Sequence, residues 1–276
     1  MTNQQTSAGQ QTSAGQQTSA GQQTSTGQQT SRGNPSRTAI VTGGSKGIGA
    51  AIAQRLARDG FAVVVNYARG RAEAEAVVGA IEAEGGKAIA VQADIADPAG
   101  IATLFDAGEK AFGGVDMLVN NAGIMKLSPI AQTGDASFDA QVAVNLGGVF
   151  RGMREGAKRL RDGGRIVNFS SSVVGLYQPG YGVYAATKAA VEAMTHILAK
   201  ELGARRITVN AVAPGPVETA LFMDGKSAAQ IEATAKMIPL GRLGQPDDVA
   251  GVVSFLAGPD GGWVNGQIIR ANGGVI

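Results

Sequence analysis

The sequence contains no cysteine and one histidine, His196, among its 276 residues. The missing cysteine excludes disulfides, thiolate zinc sites, iron–sulfur clusters and a cysteine nucleophile. With one histidine, multi-histidine metal centres are impossible, and a Ser-His-Asp triad would have to be built around that residue. We therefore expect chemistry that needs no bound metal.

Basic and acidic residues are nearly balanced, with 24 against 22, and long apolar runs are missing. A nucleic-acid-binding protein usually carries a basic excess on one face, so we expect no nucleic-acid partner. No run approaches the roughly 18 apolar residues needed to span a bilayer, which predicts no membrane insertion. The N-terminus has neither the apolar core of a secretory signal nor the pattern of a transit peptide, so we expect a cytoplasmic protein.

Residues 1–36 form a segment of low complexity in which variants of the unit QQTSAG recur. The segment lacks aromatic residues and, apart from Met1, large aliphatic side chains. Such a composition buries too little apolar surface to offset the entropy of ordering the chain. We therefore expect a disordered tail at 1–36 and a single domain at 37–276.

From Arg37 onward, short apolar runs alternate with segments of helical spacing. Runs such as FAVVVN at 61–66 are typical of strands buried on both faces of a parallel sheet. The long helical patterns include Phe138–Leu160 and Tyr184–Leu202. The predicted strands are Thr38–Thr42, Phe61–Asn66, Ala88–Ala93, Met117–Asn120, Arg165–Phe169, Ile207–Val212 and Gly266–Ile269. This order predicts an α/β fold, a single doubly wound (Rossmann-like) parallel sheet with helices on both faces and with ligands at the carboxyl ends of its strands.

A glycine-rich turn follows the first strand and reads TGGSKGIG from Thr42 to Gly49. Glycines let the backbone pass close to a ligand, and the helix that follows directs free N–H groups at an anion. The spacing differs from the dinucleotide fingerprint G-x-G-x-x-G. By itself the turn is therefore equally consistent with a purely structural role.

The position after the second strand, about 20 residues beyond the first glycine, is where an acid would bind the ribose 2′-hydroxyl of NAD. Asn66 stands there and is followed by Tyr67, Ala68 and Arg69. No carboxylate is present to repel a 2′-phosphate, and Lys46 and Arg69 are placed to pair with one, so the pattern favours NADP(H). The alternative is that both cations are solvated surface charges.

Tyr184 and Lys188 are four residues apart and therefore share one face of a predicted helix. Because a neighbouring ammonium favours the phenolate, we expect Lys188 to lower the pKa of Tyr184 from its ordinary value of about 10. A tyrosine tuned in this way can act as an acid or a base near neutral pH. This pair alone is common by chance, so its weight depends on the other motifs.

In combination, the motifs resemble those of the short-chain dehydrogenase/reductase family over roughly Ser36 to Ile276. The segments that match the family's patterns, in chain order, are Thr42–Gly49, Asn120–Gly123, Asn145, Tyr184 with Lys188, Pro214 with Gly215, and Asn272–Gly274. The resemblance implies an NADP(H)-dependent oxidoreductase in which hydride passes between the nicotinamide and a carbonyl carbon.

The resemblance also implies roles for the catalytic residues. Tyr184 would move the proton on the substrate oxygen, while Lys188 would hold the ribose and lower the tyrosine pKa. Asn145 would position a water molecule that links Lys188 to solvent. Three consecutive serines compete for the remaining role, which is a hydrogen bond to the substrate oxygen. The family's spacing selects Ser171, whereas the Val-Val-Gly that follows favours Ser172, and we choose Ser171.

The same resemblance implies a cofactor site built from the turns that follow the strands. Val217 and Thr219 match positions that contact the nicotinamide carboxamide in relatives. The residues expected to bind the cofactor are Gly43, Ser45, Lys46, Gly47, Ile48, Asn66, Tyr67, Arg69, Asp94, Ile95, Asn121, Ala122, Gly123, Tyr184, Lys188, Pro214, Gly215, Val217 and Thr219.

The overall likeness is greatest to 3-oxoacyl-carrier-protein reductases, and the apolar segment Pro216–Leu240 predicts a lid. Both favour a 3-oxoacyl-type or other apolar ketone as the small-molecule substrate. Of the two arginines that meet the acidic carrier in those relatives, one position holds Arg205 and the other Asp162, which leaves a carrier-bound substrate open. The alternatives are a dehydrogenase of a small alcohol, sugar or steroid, and a catalytically silent NADP-binding regulator.

Family members commonly form tetramers through two long helices, which correspond here to Phe138–Leu160 and Tyr184–Leu202. We therefore expect a homotetramer. The residues expected to supply part of the contact are Val191, Met194, Thr195 and Leu198.

Overall fold

The structure, a computed structural model, describes residues 37–276. The predicted tail at 1–36 lies outside the described residues, and its boundary with the domain stays a prediction. The strands are β1 (Arg37–Val41), β2 (Phe61–Tyr67), β3 (Lys87–Gln92), β4 (Val115–Asn120), β5 (Leu160–Phe169), β6 (Thr208–Pro214) and β7 (Ile268–Ala271). Each predicted strand is therefore present, with ends that differ by a few residues.

The α-helices alternate with these strands along the chain. They are α1 (Gly47–Arg58), α2 (Arg71–Ala83), α3 (Gly100–Phe112), α4 (Asp135–Gln141), α5 (Val149–Arg159), α6 (Val173–Leu176), α7 (Gly182–Glu201), α8 (Ala220–Met223), α9 (Ala228–Met237) and α10 (Pro246–Ala257). Within residues 37–276, none of the helices is both long enough and apolar enough to cross a membrane.

The strands form one seven-stranded sheet in the order β3-β2-β1-β4-β5-β6-β7. Neighbouring strands pair in parallel throughout. Strand order reverses between β1 and β4, and the crevice at the carboxyl edge beside such a reversal is the usual ligand site of an open α/β sheet. The predicted fold class is confirmed.

Side chains alternate along each strand and supply two separate cores, one on each face of the sheet. On β2, Val63 and Val65 pack with α1, α2 and α10, whereas Val64 packs on the opposite face with α3, α5 and α7. All three valines are fully buried. Because both faces are covered, the carboxyl edge of the sheet is where the described loops can meet a ligand.

Two elements differ from their sequence-based predictions. β5 begins at Leu160 rather than Arg165, because the Asp162–Gly164 stretch continues the strand across an irregularity in its pairing with β4. The helix predicted at Phe138–Leu160 is interrupted by a wider π-helical segment, Val142–Gly148, between α4 and α5. Such segments occur frequently at functional sites.

The face of α7 that we predicted for subunit contact lies inside the protomer. Val191 and Thr195 are fully buried, Leu198 is 9% exposed, and Met194 packs against the core beneath the sheet. That prediction is wrong. The outward face of α7 instead carries Ile197, which is 57% exposed.

Candidate active site

The glycine-rich turn between β1 and α1 leaves its backbone accessible to a ligand at the carboxyl edge of the sheet. Gly43 and Gly47 have φ angles of +62° and +55°, which side chains of L-residues rarely adopt. A Cβ atom on Gly43 would lie 3.0 Å from the Cα atom of Ala122. α1 begins after Lys46 without a side-chain cap, so its first N–H groups are available to an anion.

Asn66 lies at the end of β2 but points into the protein. Its Oδ1 atom accepts a hydrogen bond from the Gly43 N–H at 3.1 Å, and its Nδ2 atom donates to the Ala93 carbonyl at 2.9 Å. The side chain is 2% exposed and ties the glycine-rich turn to β3. Tyr67 is also buried, at 6% exposure. Asn66 and Tyr67 therefore shape this part of the site from within.

Lys46 and Arg69 are the exposed members of the group expected at the 2′-phosphate. They follow β1 and β2, which are adjacent and in register through Val41 and Val65. Among residues 37–276, neither cation takes part in an ion pair. Both are therefore free to meet an anionic ligand at this edge.

The Asn120–Gly123 loop is locked onto the end of β1 by Thr42, a residue that the sequence prediction left out of the site. The Thr42 hydroxyl oxygen accepts from the N–H groups of Asn121 at 3.0 Å and Ala122 at 3.1 Å. Asn121 also donates from its side chain to the Thr42 carbonyl at 2.9 Å. The position of a threonine between β1 and the first glycine of the turn is the local signal that could have pointed to it.

The two residues expected after β3 behave differently. Asp94 is exposed, and its carboxylate accepts from the Ala96 N–H at 2.9 Å, which fixes the turn. Ile95 is 5% exposed and packs in the core, where a Cβ atom on Gly148 would lie 2.6 Å from its Cδ1 atom. Asp94 therefore faces the edge, while Ile95 supports the loop from below.

Tyr184 and Lys188 lie one turn apart on α7, as their spacing predicts. Lys188 is 3% exposed, and its Nζ atom donates to the Phe169 carbonyl at 2.8 Å. The same atom lies 5.7 Å from the centroid of the Tyr184 ring. Burial lowers the pKa of Lys188 to about 8, because the ammonium loses its hydration.

The depressed pKa that we expected for Tyr184 is wrong in this structure. Burial, which disfavours the phenolate, raises its pKa to about 12, and the neighbouring Ser171 side chain only partly opposes this effect. The ammonium of Lys188 is directed at the Phe169 carbonyl, not at the phenol oxygen. Tyr184 is therefore protonated at neutral pH and is equipped to donate a proton.

The three consecutive serines have different partners. Ser171 is the one whose side chain lies close enough to Tyr184 to influence its pKa. Ser170 donates to a carboxylate oxygen of Glu192 at 2.6 Å. Ser172 donates to the Ala213 carbonyl at 3.3 Å and is buried at 2% exposure. The geometry therefore brings Ser171, our choice, to the tyrosine, and its catalytic role remains a proposal.

Asn145 lies in the π-helical segment and is fully buried. Its side chain accepts from the Ile124 N–H and donates to the Ile124 carbonyl, both at 2.8 Å. A Cβ atom on Gly123 would lie 3.2 Å from the Asn145 Oδ1 atom and 3.6 Å from the Lys188 Nζ atom. Asn145 therefore holds the loop after β4 directly beside Lys188.

The expected residues at the end of β6 and beyond it have different neighbours. Gly215 lies against Asn272, since a Cβ atom there would be 2.9 Å from the Asn272 Cα atom. Val217 is 4% exposed and forms a bridge with Gly244. The Cγ2 atom of Thr219 lies 3.3 Å from the place that a Cβ atom on Gly47 would take. Thr219 is thus the expected residue that lies against the turn, whereas Pro214 is buried at the end of β6.

Comparisons with known proteins show which family this chain resembles. A family profile described as "Enoyl-(Acyl carrier protein) reductase" matches residues 43–276. A short-chain type dehydrogenase/reductase from Picea abies is 48% identical over 250 residues, which cover 87% of this chain and 92% of the relative. An NADPH-dependent aldehyde reductase-like chloroplastic protein from Arabidopsis thaliana is 47% identical and covers 87% and 94% of the two chains.

The fold comparison leads to the same family. The crystal structure of a short-chain dehydrogenase from Burkholderia cenocepacia J2315, in complex with NADP, superposes with a TM-score of 0.83. It shares 42% sequence identity, and the match covers 87% of this chain and 97% of that one. The chain belongs to the short-chain dehydrogenase/reductase family.

Proposed function

We propose that this chain is an NADP(H)-dependent oxidoreductase that reduces the carbonyl group of an apolar ketone or aldehyde. The observation that carries the proposal is the arrangement on α7, where protonated Tyr184 lies beside the Ser171 side chain and one turn from buried Lys188. An acid, a second hydrogen-bond donor and a cation then share one side of the carboxyl edge. This combination suits the addition of a proton to a carbonyl oxygen that gains negative charge.

The residues at the glycine-rich turn fit a dinucleotide. Gly43 and Gly47 keep a cradle open that a Cβ atom would narrow, and the uncapped start of α1 suits a phosphate. The unpaired Lys46 and Arg69 suit the additional 2′-phosphate of NADP(H). The Burkholderia cenocepacia relative is in complex with NADP, and the Arabidopsis relative is named as NADPH-dependent. NADP(H), when bound, would supply the hydride for the carbonyl carbon.

The chain's own residues would handle the proton and the charge. Tyr184 would donate its hydroxyl proton to the carbonyl oxygen, and Ser171 would donate a hydrogen bond to the same oxygen. Lys188 would hold the ribose hydroxyls and stabilise the phenolate that remains after the proton leaves. Asn145, which fixes the loop beside Lys188, would help to place the water that returns a proton from solvent.

An apolar substrate is favoured by the segment expected to form the lid. None of the residues of α8 and α9, all of which the structure describes, is buried. Leu221 and Met237 are 50% and 60% exposed, so the lid has apolar side chains that could contact an apolar substrate. A bare sugar would leave its hydroxyl groups poorly matched to such a surface.

A free small molecule is favoured over a carrier-bound one. Arg205, the residue that matched a carrier-binding position, pairs with Asp162 at 2.8 Å. It also donates to the carbonyls of Ala157 and Leu160. Its guanidinium therefore already has internal acceptors, and a carboxylate occupies the position where the second arginine would be needed.

We further propose assembly as a homotetramer through the outward faces of α4, α5 and α7. Phe138 and Phe150 are 48% and 49% exposed, and Ile197 is 57% exposed. Exposed large apolar side chains on neighbouring helices are typical of a subunit contact.

We also propose a cytoplasmic location. The Arabidopsis relative is chloroplastic by name, so a chloroplast is the alternative, and cell fractionation distinguishes the two locations.

The proposed function is tested by a substrate screen that follows the absorbance of reduced nicotinamide. The panel contains aromatic and aliphatic aldehydes and ketones, a 3-oxoacyl thioester, a steroid ketone and an aldose. We expect NADPH-dependent turnover of apolar carbonyls that exceeds turnover of the aldose. Tight NADPH binding without turnover of any compound would favour the silent regulator, and preferred turnover of the aldose would overturn the apolar substrate.

A further inference from the structure

Glu192 is a charged residue of α7 that the proposed chemistry does not use. It lies one turn beyond Lys188, and its carboxylate accepts the Ser170 hydroxyl at 2.6 Å. Ser170 is 3% exposed, and its N–H donates to the Val212 carbonyl at 2.8 Å. A bond from a hydroxyl to a carboxylate is among the stronger hydrogen bonds in proteins. Ser170 is therefore held on both its backbone and its side chain.

Three successive turns of α7 each hold a part of the short segment 169–171. Tyr184 contacts the Ser171 side chain, and Lys188 donates to the Phe169 carbonyl at 2.8 Å. Glu192, at the next i,i+4 position, completes the row through Ser170. The segment that ends β5 is thus fastened to the helix that carries the tyrosine and lysine.

We propose that Glu192 is a positioning residue that acts through Ser171. Its bond to Ser170 fixes the turn in which the next residue, Ser171, is directed at Tyr184. Without the carboxylate, the turn would keep its strand pairing, but the Ser170 side chain would lose its anchor on α7. The distance between the Ser171 hydroxyl and the substrate oxygen would then vary. The inference rests on the proposed function, because it assigns Glu192 a task in that reaction.

A double-mutant cycle tests the proposal. The variants are Glu192→Ala, Ser171→Ala and the combination of both, assayed with NADPH and the carbonyl compound that the wild type reduces fastest. We expect Glu192→Ala to lower kcat about tenfold in the wild-type background, because small displacements of catalytic groups are costly. In the Ser171→Ala background, Glu192→Ala should lower kcat by less than about twofold, because the effects of residues that act as a unit are not additive. Equal factors in the two backgrounds would overturn the proposal.

Two further variants distinguish a loss of positioning from a non-specific effect of a substitution on α7. Glu192→Gln keeps an oxygen acceptor for Ser170 and should recover most of the lost kcat, whereas failure of this rescue would contradict the proposed contact. Glu201→Ala removes an exposed carboxylate at the far end of the same helix and serves as the matched control. Its kcat should equal that of the wild type.

Hydrogen exchange gives a readout that does not depend on turnover. In the protein without added cofactor, amides of 169–172 should exchange faster in Glu192→Ala than in the wild type, and Glu192→Gln should restore their protection. If the wild type reduces no compound of the panel, the proposed function fails, and this exchange measurement alone decides whether Glu192 fixes the turn. Unchanged exchange in Glu192→Ala would overturn the inference in either case.

Discussion

Removal of Lys46 or Arg69 should weaken the binding of NADPH and leave the binding of NADH almost unchanged. Both side chains are exposed at the ends of adjacent strands and have no ion-pair partner among residues 37–276. Asn66, which stands where an acid would bind a ribose, is bonded to the backbone of Gly43 and Ala93. The two cations are therefore the groups available to distinguish a 2′-phosphate from a hydroxyl.

The size of the effect follows from the kind of contact. A hydrogen bond to a charged group is worth about 1.5–3 kcal/mol, and exposure to solvent selects the lower end of that range. Each of Lys46→Ala and Arg69→Ala should therefore raise the Kd of NADPH roughly tenfold. The loss should shrink as salt is added, because the Debye length falls from about 10 Å at 0.1 M to about 3 Å at 1 M.

The assay is a titration of NADPH and NADH by nicotinamide fluorescence for the wild type and each variant. Lys87→Ala is the matched control. Lys87 is also an exposed lysine, but it is the first residue of β3 and therefore lies at the amino end of its strand, away from the carboxyl edge. Lys87→Ala should change neither Kd. Equal losses for both cofactors, or no loss for NADPH, would show that neither cation reaches the 2′-phosphate.

Three further predictions concern stability, the serines and assembly. Thr38 and Thr195 are both fully buried, but the Thr38 hydroxyl has no partner within residues 37–276, whereas that of Thr195 bonds to Val191 and Asn168. In thermal unfolding, Thr38→Val should therefore stabilise by about 1 kcal/mol and Thr195→Val destabilise by about 1–3 kcal/mol, and equal shifts would contradict this account. Ser171→Ala should lower kcat more than Ser172→Ala, which should mainly lower Tm, and the reverse order of kcat would reassign the serine. Light scattering at micromolar concentration should give the mass of a tetramer, and a monomeric mass would remove that proposal.

Local patterns in the sequence were sufficient to predict the parts of the site that depend on short-range geometry. Tyr184 and Lys188 share a helix face because helical spacing alone requires it, and the turn from Thr42 to Gly49 follows a strand as its glycines predict. The alternation of strands and helices was sufficient for the sheet, because a strand buried on both faces must be apolar along its whole length.

Contacts between residues that are far apart in the chain could not be predicted from the sequence. Glu192 and Ser170 are 22 positions apart, and only the packing of α7 against β5 brings them together. The pKa of Tyr184 is raised mainly by burial, and the Ser171 side chain opposes this only in part. The spacing of Tyr184 and Lys188 indicated a nearby lysine but not the burial of the phenol. The direction of the Asn66 side chain was equally hidden, since a missing carboxylate says nothing about where an amide points.

The core face of α7 was misassigned for a related reason. Val191, Thr195 and Leu198 have the spacing of one helical face, but a helix rich in alanine gives little contrast between the face toward the core and the face toward a second subunit. Packing beneath the sheet decides the question, because α7 contacts β5 and β6 through these residues.

The central claim is that Tyr184 donates the proton in the reduction of a carbonyl group, and Tyr184→Phe tests it most directly. The substitution removes the phenolic oxygen and retains the ring. With the carbonyl compound that the wild type reduces fastest, kcat should fall by about 10²–10⁴, the usual contribution of a general acid, while the Kd of NADPH changes by less than about threefold. A Tyr184→Phe variant that retained the wild-type kcat would contradict the account.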